Sequence, residues 1–456
     1  MIARTLVAVL LFASAAGAVA TSPPQEAGGS LALAVASFED VWQTINDTFY
    51  DPSFGGVDWP AVRGELLPRA RAARTVEEVR SVTREMIGRL GRSHFELLTD
   101  ATALPGPATV PVDIRILQAE VVVTRVPLDS PAARAGLNPG QVILEVDGVP
   151  ASSWRPAART SDERQRDQRH WEAAYRALHG REGTRADLRV REPGGSERRL
   201  VVPRDTGSAD LLRFGNVVLR TPRLEVTREA TRRGRTVGLL AFGLWMTSIS
   251  ESLDRAIDEF READGLIIDL RGNLGGLMGM VSGLSGHLMA EPVVLGTMRT
   301  RAAPTLELKV NPRLSTADGR RVAPFAGPVA ILVDEQSAST SEIFAGALQG
   351  LGRARVFGQR TMGQALPAST RTLPNGDVLL HAVGDFVTPG GRHVEGAGVV
   401  PDELVPLSIA ALASGRDAML EAALAWIDRT GSLLLCSGDL QGTQSLPRWV
   451  APLMRP

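Results

Sequence analysis

Polar and apolar positions change rhythm twice along this chain. In LALAVASFEDVWQTINDTFY, Val35, Phe38, Val41, Trp42 and Ile45 recur at helical spacing, which predicts a helix with one buried face. TVEEVRSVTREMIGRLG opens with a capping threonine, carries glutamates in its first turn and stops at glycine, so a further helix is expected there. From about residue 105 the apolar runs shorten to VPVDIRI, EVVVTRV, QVILEVDG, RADLRV and ERRLVVPRD, punctuated by Gly and Pro, as in a small β-rich domain. Beyond about residue 208, apolar strands (TVGLLAFGLW, GLIIDLRGN, PVAILVDE, ARVFGQR, DVLLHAVGDFV) are set among helical segments (SISESLDRAIDEF, GGLMGMVSGLSGHLM, TSEIFAGALQGLG). That alternation predicts an α/β domain whose parallel or mixed sheet is covered on both faces.

These shifts divide the 456 residues into a helical domain over 31–104, a β-rich domain over 105–207, an α/β domain over 208–430 and a tail over 431–456. The arginine-rich insertion SSWRPAARTSDERQRDQRHWEAAYRALHG is expected to form a solvated helix. At the start, Arg4, an apolar stretch and Ala18-Val19-Ala20 ahead of a Pro-containing segment predict a cleavable signal peptide over 1–20, with an uncleaved anchor as the alternative, followed by a spacer over 21–30. The apolar stretch is short for a bilayer span, and no later run reaches the necessary length. The expected location is therefore exported, periplasmic or secreted.

Composition narrows the chemistry. A formal net charge of -1 supplies no global field for nucleic acid or an acidic membrane surface. Cys436 is the sole cysteine, so the exported chain has no internal disulfide. No His-Glu-x-x-His motif or cysteine cluster supports zinc, and no cofactor is expected. Lys309 is the sole lysine.

The stretch ILVDEQSASTSEIFAGALQGLG runs an apolar strand into a helix through a serine-rich hinge. In open α/β sheets reactive groups collect at such junctions. A serine at a helix mouth meets unpaired N–H groups and the positive end of the dipole, both of which favour an alkoxide or tetrahedral oxyanion. Ordinary N-capping needs one hydroxyl, and this hinge carries Ser337, Ser339, Thr340 and Ser341.

SASTSEIFAGALQGLGRARVFGQRTMG resembles the active-site segment of the C-terminal-processing (tail-specific) serine proteases. The resemblance extends over VWQTINDTFYDPSFGGVDW, the PDZ-like SPAARAGLNPGQVILEVDG, the glycine-rich DLRGNLGG and the closing VEGAGVVPDELV. It implies a crotonase-like β/α spiral protease domain, an N-terminal helical region and an inserted PDZ domain that grips substrate tails or gates the site. It places the nucleophile on Ser339 and the oxyanion donors on the backbone N–H groups of Gly276 and Thr340. The implied partner is a protein or peptide, engaged through its C-terminus where the PDZ module captures tails. The glycine-rich carboxylate loop of such modules is missing, since TVPVDIRI has no glycine.

The base position departs from the family pattern as well. Most members carry a lysine base twenty-five residues after the serine, and Gln364 stands there; a carboxamide accepts no proton at neutral pH. Histidine is the natural substitute. His170 and His179 lie in the arginine-rich insertion, His287 and His381 in a predicted helix and strand, His393 two residues before Glu395, and His94 at the exit of the helical region. A tricorn-like branch of the superfamily uses a Ser-His-Ser-Glu tetrad, which Ser93-His94 and Glu395 ahead of GVVPD resemble. The resemblance thus implies Ser339 as nucleophile, His94 as base, Ser93 as bridging hydroxyl and Glu395 as orienter. A pairing of Ser339 with His393, and a catalytically silent ligand- or peptide-binding protein on the same fold, remain as alternatives.

Cleavage after Ala20 predicts that mass spectrometry of the exported protein finds an N-terminus at or near Thr21. A mature chain retaining Met1 would contradict it.

Overall fold

A computed structural model of the chain describes residues 27–436, apart from 100–103, 157–162, 208–210, 215–216, 221–223 and 303–304. The expected signal peptide, most of the spacer and the tail beyond Cys436 lie outside the described residues. Among the described residues, no helix is long and apolar enough to cross a membrane.

Three helices, Ala27–Thr48, Trp59–Ala72 and Val76–Gly88, open the fold. The Asp58 carboxylate caps the second by accepting the Ala61 N–H at 3.0 Å, and the Thr75 hydroxyl caps the third by accepting the Glu78 N–H at 3.1 Å. Their apolar faces meet in one cluster that includes Phe38, Val41, Ile45, Trp59, Leu66 and Met86. Removing each such side chain from water contributes about 1.5–3 kcal/mol. The cluster is completed by Leu366, Leu373 and Leu379, from the far end of the sequence. The helical region therefore shares its core with the last domain. A short strand, Glu96–Leu98, completes the join by pairing antiparallel with Val378–Ala382, Glu96 lying opposite Leu380.

The middle module is an antiparallel sheet whose path runs Asp113–Leu117, Glu120–Arg125, Val142–Val146, Arg185–Arg191, Glu197–Pro203. The arginine-rich insertion differs from its expectation. It forms the helix Glu163–Leu178, and His170, Trp171, Ala174 and Leu178 are buried in it. Trp171, Ala174 and Leu178 stand three or four residues apart, so the helix has an apolar stripe beneath its charges, packed in one cluster with Ile114 and Ile116.

The last domain is built on a sheet in the order Leu224–Ala230, Thr236–Phe242, Gly265–Asp269, Val329–Val333, Ala354–Gly358, Glu403–Leu404. Its first pair is antiparallel and the others are parallel. Along Val329–Val333, alternate residues serve opposite faces. Val329, Ile331 and Val333 join the cluster containing Ile343 and Phe344 of the helix Thr340–Gly350, whereas Ala330 and Leu332 pack with Ala423 and Ile427. The second set belongs to the helix Ala418–Cys436, which runs past the boundary expected at 430. The stretch DVLLHAVGDFV, expected as one strand, is two. Val378–Ala382 pairs with Glu96–Leu98 and Gly384–Val387 with Val293–Thr300, the break falling where the Val383 N–H turns to the Pro367 carbonyl at 2.8 Å.

His381 lies on the first of these strands, 4% exposed, with Nδ1 3.0 Å from the Thr48 hydroxyl. That hydroxyl gives its proton to the Thr44 carbonyl at 2.7 Å, so the imidazole donates to it. Burial pushes His381 down to about 4. The unfolded chain takes up this proton near pH 6.5 and the folded one does not, so the fold weakens as pH falls from about 6.5 towards 4. Thermal unfolding at pH 7.5 to 5 should show a Tm that declines less steeply for His381→Gln than for the wild type. Equal slopes would mean that His381 is not held neutral.

Candidate active site

At the end of Val329–Val333 the chain turns into the helix Thr340–Gly350 through Ser337-Ala338-Ser339. Ser339 sits at the N-cap with φ 59° and ψ −120°, a conformation that costs a non-glycine residue about 1–3 kcal/mol. Neighbouring hydroxyls hold the turn. Ser337 Oγ donates to the Leu270 carbonyl at 2.7 Å, Thr340 Oγ1 to the Gly276 carbonyl at 2.8 Å and Ser341 Oγ to the Asn273 carbonyl at 3.1 Å. Three of the four hinge hydroxyls thus tie the helix mouth to the loop 270–276. Glycine is required on that loop: a Cβ on Gly275 would lie 2.6 Å from Ser339 Cβ, and one on Gly276 2.3 Å from the Trp245 carbonyl oxygen. Among the described residues, neither the Gly276 nor the Thr340 N–H donates to a protein acceptor.

The fourth hydroxyl faces the helical region. Ser339 Oγ lies 3.1 Å from His94 Nε2, His94 Nδ1 lies 2.8 Å from Ser93 Oγ, and Ser93 Oγ donates to Glu395 Oε2 at 2.8 Å. Because Ser93 gives its single proton to Glu395, its oxygen accepts from His94 Nδ1–H, which leaves the Nε2 lone pair directed at Ser339. Glu395 also accepts the Ser93 N–H at 3.1 Å and the Ala365 N–H at 3.0 Å. Burial pushes His94 down to about 3, so the imidazole is neutral. Burial also raises Glu395 above the ordinary carboxylate range, opposed by the Ala365 and Ser93 donors.

The other candidates lie elsewhere. His393 is 62% exposed and 3.0 Å from Asp385, so the alternative of a Ser339–His393 pair has no contact to support it. Lys309 is paired with Glu307 at 2.9 Å on an exposed strand. His170, His179 and His287 are buried, the last 2.8 Å from Asp254. Gln364, at the position of the family lysine, turns its carboxamide to Gln168 Oε1 of the insertion helix at 3.0 Å.

Two features escaped the sequence reading. Glu342 is fully buried and accepts the Ser339 N–H at 3.0 Å, the Gly363 N–H at 2.7 Å, the Gln364 N–H at 2.9 Å and the Thr361 hydroxyl. Its place three residues after the N-cap is that of a capping-box carboxylate, the signal that could have marked it. The second is the cover. A cavity of about 300 Å³ beside His94 is walled by Arg164, Asp167 and Gln168 of the insertion helix and by Gln336 and Gly363 of the last domain. Arg164 donates to the Gly396 carbonyl at 3.0 Å, and Arg115 of the middle module forms a buried ion pair with Asp334 at 2.6 Å.

Comparisons with known proteins agree with this architecture. Residues 236–405 match the model of peptidase family S41, residues 36–88 the tricorn protease C1 domain and residues 122–158 a PDZ domain. The carboxyl-terminal-processing protease of Synechocystis sp. is 27% identical over 401 residues, covering 84% of each chain. Carboxyl-terminal-processing peptidase 3, chloroplastic, of Arabidopsis thaliana is 24% identical over 383 residues, 80% of this chain and 67% of the relative. Among solved structures, the photosystem II D1 C-terminal processing protease aligns with a TM-score of 0.54 at 20% identity over 85% of this chain and 98% of that one. Mature CPAF aligns with a TM-score of 0.58 at 15% identity over 91% and 99%. At these identities the two structures speak for the fold. The family matches and curated relatives go further: residues 236–405 form a peptidase family S41 domain, and the chain is a serine peptidase similar to the carboxyl-terminal-processing proteases that carries a PDZ domain.

Proposed function

We propose that the chain is an exported serine endopeptidase that hydrolyses peptide bonds through an acyl-enzyme, with Ser339 as nucleophile and His94 as general base. The observation that carries this reading is the unbroken relay from Ser339 through His94 and Ser93 to Glu395, with links of 3.1, 2.8 and 2.8 Å. As Ser339 Oγ attacks a peptide carbonyl, its proton passes to His94 Nε2. The imidazolium so formed is compensated by Glu395 through the Ser93 hydroxyl, a triad with one relay inserted. The Gly276 and Thr340 N–H groups take the oxyanion, a role in which loss of one donor typically costs about 10²–10³ in kcat. His94 then returns the proton to the leaving amine, and a water, deprotonated by the same ring, releases the acyl group. Export rests on the amino-terminal signal ending at Ala20.

The PDZ module acts in this reading as a cover over the cavity rather than as a clamp on tails. Strand addition needs open backbone acceptors on a sheet edge. On the edge strand Asp113–Leu117, the Ile114 carbonyl already accepts the Trp171 indole N–H at 2.9 Å and the Arg115 guanidinium at 2.8 Å. Contacts from Arg164, Gln168 and Arg115 to the last domain hold the module above the relay.

A fluorophosphonate probe tests the chemistry. It should label the wild type and leave Ser339→Ala unlabelled, while His94→Ala lowers kcat by about 10²–10⁴ and His393→Ala leaves turnover unchanged. An unlabelled wild type would favour the silent binding protein, and loss of turnover in His393→Ala would reject His94 as base. A second measurement addresses the module: peptides with a free C-terminal carboxylate and their amidated forms should bind with equal affinity in fluorescence anisotropy. A clear preference for the carboxylate would restore tail capture.

A further inference from the structure

We infer that Glu342 is a positioning residue that sets the distance between nucleophile and base through the backbone of residues 363–365, an inference that rests on the peptidase reading above. The carboxylate divides its acceptors between two elements. Oε2 takes the N–H groups of Ser339 at 3.0 Å and Gln364 at 2.9 Å, and Oε1 takes the Gly363 N–H at 2.7 Å and the Thr361 hydroxyl. The next N–H along the same segment, that of Ala365, donates to Glu395 at 3.0 Å. Gly363 and Gln364 are thus held by the carboxylate beneath the nucleophile, and Ala365 by the carboxylate behind the base.

The bonds close a ring. From the Ser339 N–H it runs through Glu342 to Gln364 and Ala365, through Glu395 and Ser93 to His94, and from His94 Nε2 back to Ser339 Oγ. Two further bonds brace it: the Ser339 N–H also reaches the Gln364 carbonyl at 2.8 Å, and the Gly396 N–H reaches the Gly363 carbonyl at 2.8 Å. A separation enclosed in such a ring is over-determined, which is what a strained Ser339 at φ 59° requires in order to keep its hydroxyl on His94. Gln364 stands where the family's lysine is expected, and here the segment contributes its backbone to the site rather than a base.

Only a carboxylate fits this position. Glu342 faces donors on both oxygens, so an amide in either orientation sets its NH₂ against a backbone N–H of Gly363 or of Ser339 and Gln364. Glu342→Gln should therefore displace the segment and with it the relay.

The test is a double-mutant cycle on the full-length mature enzyme, read by steady-state hydrolysis of a casein-derived fluorogenic substrate and by the rate of fluorophosphonate labelling. Glu342→Gln is expected to lower kcat by about 10²-fold while KM stays within about threefold, because misplacement of the reacting groups acts on the chemical step. Combined with Glu395→Gln, the loss should be close to that of the worse single variant, whereas independent sites multiply their losses. Thr361→Val removes one donor to the same carboxylate, together with the acceptor of the Val399 N–H at 2.7 Å, and serves if Glu342→Gln fails to give a native near-ultraviolet circular dichroism spectrum; it too should be non-multiplicative with Glu395→Gln. Wild-type kcat in Glu342→Gln, or multiplicative losses in either cycle, would overturn the inference while leaving the peptidase reading intact. A wild type that is neither labelled nor active would instead overturn that reading, and the inference with it.

Discussion

The contact between His94 and Ser339, residues 245 positions apart, is the constraint around which the rest of the structure is arranged. Neither residue lies on an element that can find the other alone. His94 follows the helical region and precedes the strand Glu96–Leu98, and that strand is bound into the carboxy-terminal domain by its ladder with Val378–Ala382. The apolar cluster behind it joins Phe38 and Trp59 to Leu366 and Leu379. Burial of these side chains thus does two jobs at once: it stabilises the helices and delivers an imidazole to the mouth of a distant helix. A helical region with a self-sufficient core would have no such obligation to dock.

On the other side of the contact, local chemistry prepares the alcohol. Apolar packing on both faces of Val329–Val333 anchors the strand, and the hydroxyls of Ser337, Thr340 and Ser341 bind the loop 270–276 to the turn. The strain in the Ser339 backbone is offset by these bonds and by the Glu342 carboxylate. Low exposure then tunes the titratable groups. His94 is kept neutral by burial, and in the proposed mechanism the carboxylate relay supplies the compensating charge only when a proton arrives.

The same burial presents the molecule with an access problem. Ser339 is fully buried, and the insertion helix lies across the adjoining cavity with polar contacts to Gln364 and Gly396. Exchanging such hydrogen bonds for bonds to water or substrate costs little, about 0.5–1.5 kcal/mol each, which suits a cover that must yield. The buried Arg115–Asp334 pair is the firmer tie, since separating a buried pair leaves two charges to be solvated or paired anew.

Much of this was legible in the residues themselves wherever the message is local. The strand-to-helix hinge with its surplus of hydroxyls, the capping threonine at Thr75, the Ser93-His94 dipeptide and the glutamate ahead of GVVPD are all short patterns that can be recognised from neighbours along the chain. Periodicity likewise determined the succession of helices and strands, because side-chain direction repeats with the backbone. Tertiary structure alone decided the rest. It brought His94, which the resemblance had implied, to 3.1 Å from Ser339 and left the alternative His393 exposed beside Asp385. It divided DVLLHAVGDFV between two sheets, and it turned the arginine-rich insertion from a solvated helix into a wall of the cavity. These outcomes rest on contacts between residues tens to hundreds of positions apart, and no periodicity along the chain records which distant surface a given face will meet.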